Sequence, residues 1–230
     1  MLNRQKHEII LKNILKDIYS DNFLAVALGF KGGTACYLFY NLPRFSTDLD
    51  FNLLNTDKQN EVFEKLKSIT EKYGTISEAR MKRKTIFILL SYEKGTQKVK
   101  IEVSVRDYQD DFEIKNFLGI SVLTMVQENM FAHKLVAATD RKKIANRDLF
   151  DLDYFFQKNW DINERIIELR TGKNLKDYLQ YLVEFIDKEV KENTILDGLG
   201  EVLSESQKDR TKGNLKKDLI FKIKSYLSVI

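Results

Sequence analysis

Cysteine, histidine and proline are scarce in this 230-residue chain, and each shortage excludes a kind of protein. The single cysteine, Cys36, can form no internal disulfide and cannot supply a cysteine-rich zinc site. The two histidines, His7 and His133, lie far apart in sequence, so a histidine-based zinc site is not predicted. One proline and ten glycines leave few forced breaks, which favours long regular elements.

Long hydrophobic runs are also missing. No apolar run approaches the roughly 20 residues that a membrane-spanning helix needs. The beginning of the chain is charged and lacks the apolar stretch of a signal peptide. Hydrophobic residues make up 43% of the chain and charged residues 31%, a balance typical of soluble globular proteins. We therefore expect a cytoplasmic protein with no membrane partner.

An excess of charge of one sign is nearly absent, since the net charge is only +4 at pH 7. Residues 1–110 contain 18 Lys and Arg against 14 Asp and Glu, whereas residues 111–230 contain 20 of each kind. The basic excess in the first half suits an anionic ligand such as a nucleotide or RNA, but four charges do not identify one.

Apolar periodicity predicts a mixed α/β first half. Helical spacing marks residues 6–19, 35–40 and 60–73, and strand character marks residues 49–54, 85–92 and 99–105. The apolar residues 23–28 are either a strand or a helix end. Residues 93–97 form a hairpin loop between the last two strands, because Gly95 allows a positive φ there.

The second half is predicted to be helical. Ser121 is a suitable N-cap for a helix that runs to about residue 138. Further amphipathic helices are expected at residues 148–160, 175–188 and 215–227. We predict two domains, residues 1–115 and 116–230.

Two aspartates, Asp48 and Asp50, stand two residues apart at the start of a predicted strand. Side chains alternate along a strand, so both carboxylates project from one face while Leu49 and Phe51 project from the other. Two acids this close repel each other unless a cation lies between them. Mg²⁺ prefers one or two carboxylates plus substrate phosphates, and two such ions can hold the attacking and leaving oxygens of phosphoryl transfer.

A third acid, Glu102, lies on a strand in which polar and apolar residues alternate strictly. Glu102 shares its face with Lys100, Ser104 and Arg106. If that face also bears the two aspartates, Glu102 completes the metal site; if it faces solvent, Glu102 is an ordinary surface acid. Alternation alone does not decide between these interpretations.

A glycine-rich segment, Gly32-Gly33-Thr34, precedes the acid pair by one predicted helix. Glycines let backbone N–H groups approach a phosphate, and the helix that follows offers its positive amino end to the same anion. The hydroxyl of Thr34 can add a hydrogen bond. A glycine pair alone usually marks only a tight turn, and the acid pair that follows makes a nucleotide site the favoured interpretation.

Other motifs based on aspartates fit less well. An EF-hand loop that starts at Asp48 would need glycine where Leu53 stands and glutamate where Gln59 stands. A dehalogenase-like phosphatase has its apolar strand before the acids, whereas here residues 44–47 precede them and the apolar run follows. The chain also contains no P-loop motif.

Residues 31–51 resemble the first motif of the polymerase-β-like nucleotidyltransferases, and in particular that of the AbiEii/AbiGii family of abortive-infection toxins. In that family a Gly-Gly-Thr turn and a helix are followed by an Arg-x-Ser-x-Asp-Leu-Asp-Phe strand, which residues 44–51 match position by position. Residues 128–135 resemble the family's lysine-bearing helix, and residues 147–152 resemble its Arg-Asp-x-x-Asp-Leu motif. The resemblance covers residues from about 30 to 155.

The resemblance implies an α+β fold, in which a polymerase-β-like core with a mixed sheet is followed by a helical half that closes over the nucleotide. It also implies roles for individual residues. Asp48 and Asp50 would bind the metal ions, and Gly32, Gly33 and Thr34 would hold the triphosphate. Arg44 and Ser46 would support the acid strand or contact a phosphate. Lys134 and Asp148 would take part in catalysis. Without the resemblance, Lys134 and Asp148 would be interpreted as solvated helix residues, and Arg147 and Asp151 as a surface pair.

The implied activity is transfer of NMP from an NTP to an acceptor, with Mg²⁺ or Mn²⁺ as cofactor. The acceptor would be RNA, such as tRNA, or a protein. The resemblance further implies the toxin of a toxin–antitoxin or abortive-infection pair, with a cognate antitoxin as partner. The alternative is an NTP-binding sensor or partner-binding module that lacks transfer activity.

Overall fold

The computed structural model describes residues 3–95, 98–141 and 143–230, which divide into two compact units between Val126 and Gln127. The strands of the first unit are β1 (Leu28–Lys31), β2 (Asp48–Leu53), β3 (Thr75–Lys82), β4 (Thr85–Ser91), β5 (Val99–Ser104), β6 (Phe112–Phe117) and β7 (Ile120–Met125). Its helices are α1 (Arg4–Ser20), α2 (Asn22–Ala27), α3 (Gly32–Phe39) and α4 (Gln59–Glu71), with a 3₁₀ turn at Thr56–Lys58.

The second unit is helical. Its helices are α5 (Gln127–Asp140), α6 (Asn146–Gln157), α7 (Glu164–Thr171), α8 (Leu175–Glu189) and α9 (Glu205–Leu227), with a 3₁₀ turn at Glu192–Thr194. Within the described residues, no helix is long and apolar enough to cross a membrane.

One mixed sheet contains the strands of the first unit, in the order β3-β4-β5-β2-β1-β7-β6. Strand β2 is parallel to β5, and β1 is parallel to β7, whereas the other neighbours are antiparallel. The predicted mixed α/β fold is therefore confirmed. The acid-bearing strand β2 lies in the middle of the sheet, where it is hydrogen-bonded on both sides.

The apolar face of the sheet builds the core of the first unit. Leu49 and Phe51 on β2 pair with Ile101 and Val103 on β5, and all four side chains are buried. Helices α1 and α4 pack on the sheet, with the Tyr19 ring 6.4 Å from the Phe51 ring. Burying each such side chain contributes about 1.5–3 kcal/mol, so the alternating pattern fixes which face of β2 turns outward.

Helix α1 shows how the helical pattern produces packing. The side chain of Asn3 caps its amino end by accepting a hydrogen bond from the backbone of Lys6 at 3.1 Å. Its buried stripe contains Leu11, Ile14 and Ile18, which are 0–3% exposed. These positions recur every three or four residues, the spacing of one helix face.

The core of the second unit depends on aromatic contacts and on the long helix α9. The rings of Phe155 and Trp160 stack with centroids 4.2 Å apart. Helix α9 packs on both α6 and α8, and its capping box joins Ser204 to Gln207. The helix begins ten residues before the predicted start at residue 215, because its first turns are polar and show no apolar stripe.

The predicted helix that starts at Ser121 is wrong. Ser121 lies within β7, and α5 begins at Gln127. A two-residue turn with positive φ at Leu118 (51°) and Gly119 (85°) joins β6 to β7, and that conformation matches the twist of a hairpin. The predicted boundary at residue 115 falls inside β6, so the first unit retains the whole hairpin and ends at Val126.

Other elements differ from the prediction in smaller ways. The apolar residues 23–28 belong mainly to the short helix α2, and β1 follows at once. The predicted hairpin between β4 and β5 is confirmed by their antiparallel pairing, and Gly95 has a φ of 78°. Thr96 and Gln97 of its loop lie outside the described residues. Strand β3, which was not predicted, completes the sheet beyond β4.

Two glycine substitutions should change stability in opposite directions. Gly74 joins α4 to β3 with a φ of 156°, and an added Cβ would lie 2.5 Å from the backbone oxygen of Ser91. Gly74→Ala should therefore lower the free energy of unfolding by about 1–3 kcal/mol. Gly213 is exposed within α9, and apart from its chain neighbours and the backbone of the helix itself, no described atom lies within 4 Å of an added Cβ. Gly213→Ala should raise the free energy of unfolding by about 0.5–1 kcal/mol. Urea denaturation followed by circular dichroism measures both, and shifts of the same sign would contradict the structure.

Candidate active site

The two predicted metal ligands lie on the polar face of β2. The side chain of Asp48 is 18% exposed and that of Asp50 is 29% exposed, whereas Leu49 between them is buried. Both carboxylates are thus accessible from solvent while their backbone is fixed in the middle of the sheet.

The third acid lies on the same face. In the parallel pairing of β2 with β5, Asp48 is opposite Lys100 and Asp50 is opposite Glu102. Residues paired directly across two strands project from one face of a sheet. The structure therefore brings Glu102 beside the two aspartates, which the alternation of β5 alone left undecided.

Lys100 occupies the middle of this acid cluster, by which we mean Asp48, Asp50 and Glu102. Its Nζ lies 3.1 Å from a carboxylate oxygen of Glu102, 3.5 Å from one of Asp48 and 3.7 Å from one of Asp50. Burial alone would lower the pKa of Lys100, but the three carboxylates outweigh burial and raise that pKa above its ordinary value. The side chain is therefore a permanent cation that offsets the repulsion among the acids.

The amino end of α3 faces the acid cluster. Gly32 has a φ of 80°, and an added Cβ would lie 2.7 Å from a carboxylate oxygen of Asp50. The side chain of Lys31, the N-cap residue, makes no capping hydrogen bond to this helix. The positive end of the helix dipole favours negative charge at this place. Glycine is required because any side chain would strike Asp50.

A buried group of side chains fastens the segment before β2 to α3. The Thr34 hydroxyl donates a hydrogen bond to the backbone oxygen of Asp48 and lies 2.9 Å from the Ser46 hydroxyl. An added Cβ at Gly33 would lie 2.8 Å from a guanidinium nitrogen of Arg44 and 3.0 Å from the Ser46 hydroxyl. These contacts give Thr34, Arg44 and Ser46 a supporting role, while their contact with a nucleotide stays a prediction.

His7 supports Thr47, the residue directly before the acid strand. Its Nε2 lies 2.9 Å from the backbone oxygen of Thr47, and its Nδ1 lies 2.9 Å from the Tyr92 hydroxyl. Because a carbonyl only accepts, Nε2 carries the proton and Nδ1 accepts from Tyr92. Burial lowers the pKa of His7 and outweighs the Thr47 hydrogen bond and the charge of Asp48, so the ring is neutral near pH 7. A single buried histidine has no sequence signature, so this role of His7 was not predicted.

The second unit contains its own buried charge cluster. Nζ of Lys134 on α5 lies 2.9 Å from Asp148 and 3.1 Å from Asp151, both on α6. The two carboxylates are at most 1% exposed, and Arg141 adds a contact of 2.9 Å to Asp148. Lys134 and Asp148 are therefore not solvated helix residues, and the interpretation of Asp151 as half of a surface pair is wrong.

The pKa of Asp148 follows from these contacts. Burial raises it, but the positive charges of Lys134 and Arg141 more than compensate and hold the pKa below its usual value. The carboxylate is thus ionised at neutral pH, as its ion pairs require. The ion pair of Asp151 with Lys134 was not predicted, because an acid four residues from an arginine resembles an ordinary helical surface pair.

The acid cluster suits a hard divalent cation in its chemistry. Carboxylate oxygens that are partly exposed to solvent are the ligands that Mg²⁺ and Mn²⁺ prefer, together with water and phosphate oxygens. In the described part of the chain, no three His, Cys, Asp or Glu side chains are already arranged as a metal site. The three carboxylates are instead spaced around the ammonium of Lys100.

The fold defines the structural class of the protein. Two solved structures from Helicobacter pylori share the fold over nearly their whole length. A proposed nucleotidyltransferase is 23% identical with a TM-score of 0.56, and 96% of each chain is covered. The protein JHP933 is 22% identical with a TM-score of 0.57, and the match covers 100% of this chain and 97% of JHP933.

The particular family follows from the sequence. The family model described as the nucleotidyl transferase AbiEii toxin of type IV toxin–antitoxin systems matches residues 13–220, so the chain belongs to the AbiEii family. The predicted family is confirmed, and the match extends to the C-terminal helices beyond residue 155, which no motif had covered. No curated protein matches the chain in sequence.

Removing the hydroxyl of Thr34 should disturb the acid strand. Thr34→Val keeps the shape but leaves the buried Ser46 hydroxyl and the backbone oxygen of Asp48 without this partner. We expect the free energy of unfolding to fall by about 1–3 kcal/mol. Thr34→Ser retains the hydroxyl and should stay within about 1 kcal/mol of the wild type. Urea denaturation of the two variants tests this, and equal midpoints would show that the Thr34 hydroxyl does not contribute to stability.

Removing Lys134 should destabilise the second unit. Lys134→Met leaves Asp148 and Asp151 buried without their shared cation, which should cost about 3–5 kcal/mol at neutral pH. Because the folded pKa of Asp148 is lowered, its stabilising contribution is present above the ordinary carboxyl pKa and is lost as pH falls through the folded value. The difference in the free energy of unfolding between the wild type and the Lys134→Met variant should therefore become smaller below about pH 4.

Urea denaturation across this pH range measures the effect. The matched control is the double variant Lys134→Met/Asp151→Asn, which removes one buried charge and should recover part of the lost stability. A single variant as stable as the wild type at neutral pH would contradict the buried ion pairs.

Proposed function

We propose that this chain transfers a nucleoside monophosphate from an NTP to a hydroxyl acceptor, with a metal site at Asp48, Asp50 and Glu102. The new bond joins the acceptor oxygen to the α-phosphorus, the bond between the α- and β-phosphates breaks, and pyrophosphate leaves. The hydroxyl proton passes to solvent. The observation that carries the proposal is the pairing of Asp50 with Glu102, beside the glycine-rich amino end of α3.

The acid cluster is the proposed metal site. The three carboxylates would hold Mg²⁺ or Mn²⁺, which when bound neutralises phosphate charge and lowers the pKa of the acceptor hydroxyl. The protein fixes the ligands on two hydrogen-bonded strands, so little reorganisation is needed at the carboxylates themselves. Electrostatic positioning of this kind supplies most of the catalysis in phosphoryl transfer.

The residues around α3 would hold the triphosphate. Gly32 and Gly33 have no side chains to block the backbone N–H groups of the first turn, so a phosphate can approach closely. Thr34, Ser46 and Arg44 would act mainly by keeping the acid strand in register with this helix, as their contacts with Asp48 and Gly33 suggest.

Lys134 and Asp148 are the catalytic residues proposed for the second unit. The buried carboxylates of Asp148 and Asp151 hold the Lys134 ammonium at 2.9 and 3.1 Å, which fixes its direction. A lysine held in this way is a point charge suited to a phosphate group. We propose phosphate contact as its role, oriented by Asp148.

The biological role that we propose is that of a toxin with a cognate antitoxin, in keeping with the type IV toxin–antitoxin description of the family. The proposed acceptor is an RNA, such as tRNA, or a protein. Induced expression of the chain should slow growth, and an Asp50→Ala variant expressed to the same soluble level should not. Equal growth of both strains would argue against the toxin role.

Loss of either aspartate should remove most of the transfer activity. Asp48→Ala and Asp50→Ala should each reduce the rate by about 100-fold or more, because each removes a ligand of the metal that stabilises the transition state. The matched control is Asp57→Ala, since Asp57 is an exposed aspartate of the same unit and should leave the rate unchanged. Circular dichroism checks that all three variants fold, and full activity in either site variant would remove the assignment.

The deciding experiment incubates the protein with each NTP radiolabelled at the α-phosphate, Mg²⁺ and total cellular RNA, beside an Asp50→Ala control. Label on a discrete RNA band that the control lacks would establish the transfer and identify the donor. Label on protein alone would identify a protein acceptor. NTP binding without label on RNA or protein would support the alternative, a nucleotide sensor or partner-binding module without transfer.

A further inference from the structure

Lys100 lies where the acid cluster converges. Its ammonium is within 3.1–3.7 Å of one oxygen from each of Asp48, Asp50 and Glu102. A cation that contacts all three carboxylates would occupy this same place. The two strands fix this geometry, because Lys100 is paired with Asp48, and Glu102 with Asp50.

We infer that Lys100 is the built-in counter-cation of the acid cluster: it holds the three carboxylates together in the metal-free protein, and a divalent cation must displace it. The inference rests on the proposed metal site at these carboxylates. It makes Lys100 a positioning residue that acts on the metal ligands.

Electrostatic repulsion and competition for the same oxygens favour displacement of the Lys100 ammonium by the metal ion. Mg²⁺ binds carboxylate oxygens at about 2.0–2.1 Å, so an ion that shares the oxygens contacted by Lys100 would lie within a few ångströms of its ammonium. Two cations that close repel each other strongly, and they also compete for the same lone pairs. The ion and the ammonium therefore cannot both keep their contacts with the cluster.

The side chain of Lys100 is able to leave. A lysine carries its charge on a flexible four-carbon stem, and this one is 26% exposed, so solvent reaches it. The displaced ammonium then needs a new anionic partner, and the phosphates of an NTP would supply one. Metal binding should consequently be weak without nucleotide and stronger with it, so that the chain couples loading of the metal to loading of the substrate.

A purely structural lysine would behave differently. If Lys100 only stabilised the sheet, its removal would lower stability and leave metal affinity unchanged or weaker. If it is a competing cation, removal lowers stability in the metal-free protein but raises metal affinity. Metal affinity is therefore the measurement that separates the two roles.

The experiment measures Mn²⁺ binding to the intact chain without nucleotide, by the loss of the free-ion signal in electron paramagnetic resonance. We expect Lys100→Met to bind Mn²⁺ at least about tenfold more tightly than the wild type, because a like charge next to the ion is gone. Lys100→Arg keeps the charge and should bind no more tightly than the wild type. With an NTP analogue that cannot be cleaved between its α- and β-phosphates, the advantage of Lys100→Met should shrink.

A second pair of variants guards against misfolding of Lys100→Met. The double variant Lys100→Met/Glu102→Gln has the same net charge as the wild type, and its Mn²⁺ affinity is compared with that of Glu102→Gln alone. Tighter binding by the double variant supports the inference. Equal or weaker binding in both comparisons, while the wild type binds Mn²⁺, overturns the role of Lys100 and leaves the proposed metal site in place. No Mn²⁺ binding by any variant overturns both.

Discussion

The repulsion among three carboxylates on one face of a sheet is the constraint around which the first unit is organised. Asp48, Asp50 and Glu102 are held together because their strands bury an apolar face on the other side, and a slip of one residue would move those apolar side chains into solvent. The fold therefore imposes the proximity of like charges, and Lys100 offsets it. The free energy gained by burying the apolar face of the sheet thus offsets the repulsion among the carboxylates on the charged face.

The second unit deals with buried charge in a different way. Asp148 and Asp151 lie almost wholly out of solvent, and Lys134 bridges them from the neighbouring helix. The carboxylates on β2 and β5 are partly exposed and thus accessible to water and dissolved ions, whereas these two are buried. A rigid cation and a replaceable cation are suited to different tasks, namely holding a fixed direction and yielding to a ligand.

The sequence allowed the acid strand to be predicted because its information is local. Period-two alternation placed Asp48 and Asp50 together, and the family resemblance fixed their surroundings. The position of Glu102 needed the pairing of two strands that are about 50 residues apart in the chain, which no local pattern contains. The central position of Lys100 depends on that same pairing, so its charge was visible in the sequence but its contacts were not.

The features that were not predicted also depend on contacts or conformations that no local pattern shows. The hairpin of β6 and β7 turns at Leu118 and Gly119, and leucine is an unusual residue for a positive φ, so the turn had no signal. His7 reaches Thr47 from a helix 40 residues earlier, a contact that only the packing of α1 determines. Where local chemistry and long-range packing pointed to the same answer, as at α4 and β5, the prediction held.

The order of the strands also leaves the sheet open at its two ends. Strands β3 and β6 are the outermost, and the free backbone groups of an outer strand can pair with a strand of another molecule. Strand β3 alternates Glu78, Arg80 and Lys82 along one face, and β6 contains Glu113 and Lys115. A second molecule that added a strand at either edge would have to desolvate these charges, which disfavours growth of the sheet into aggregates.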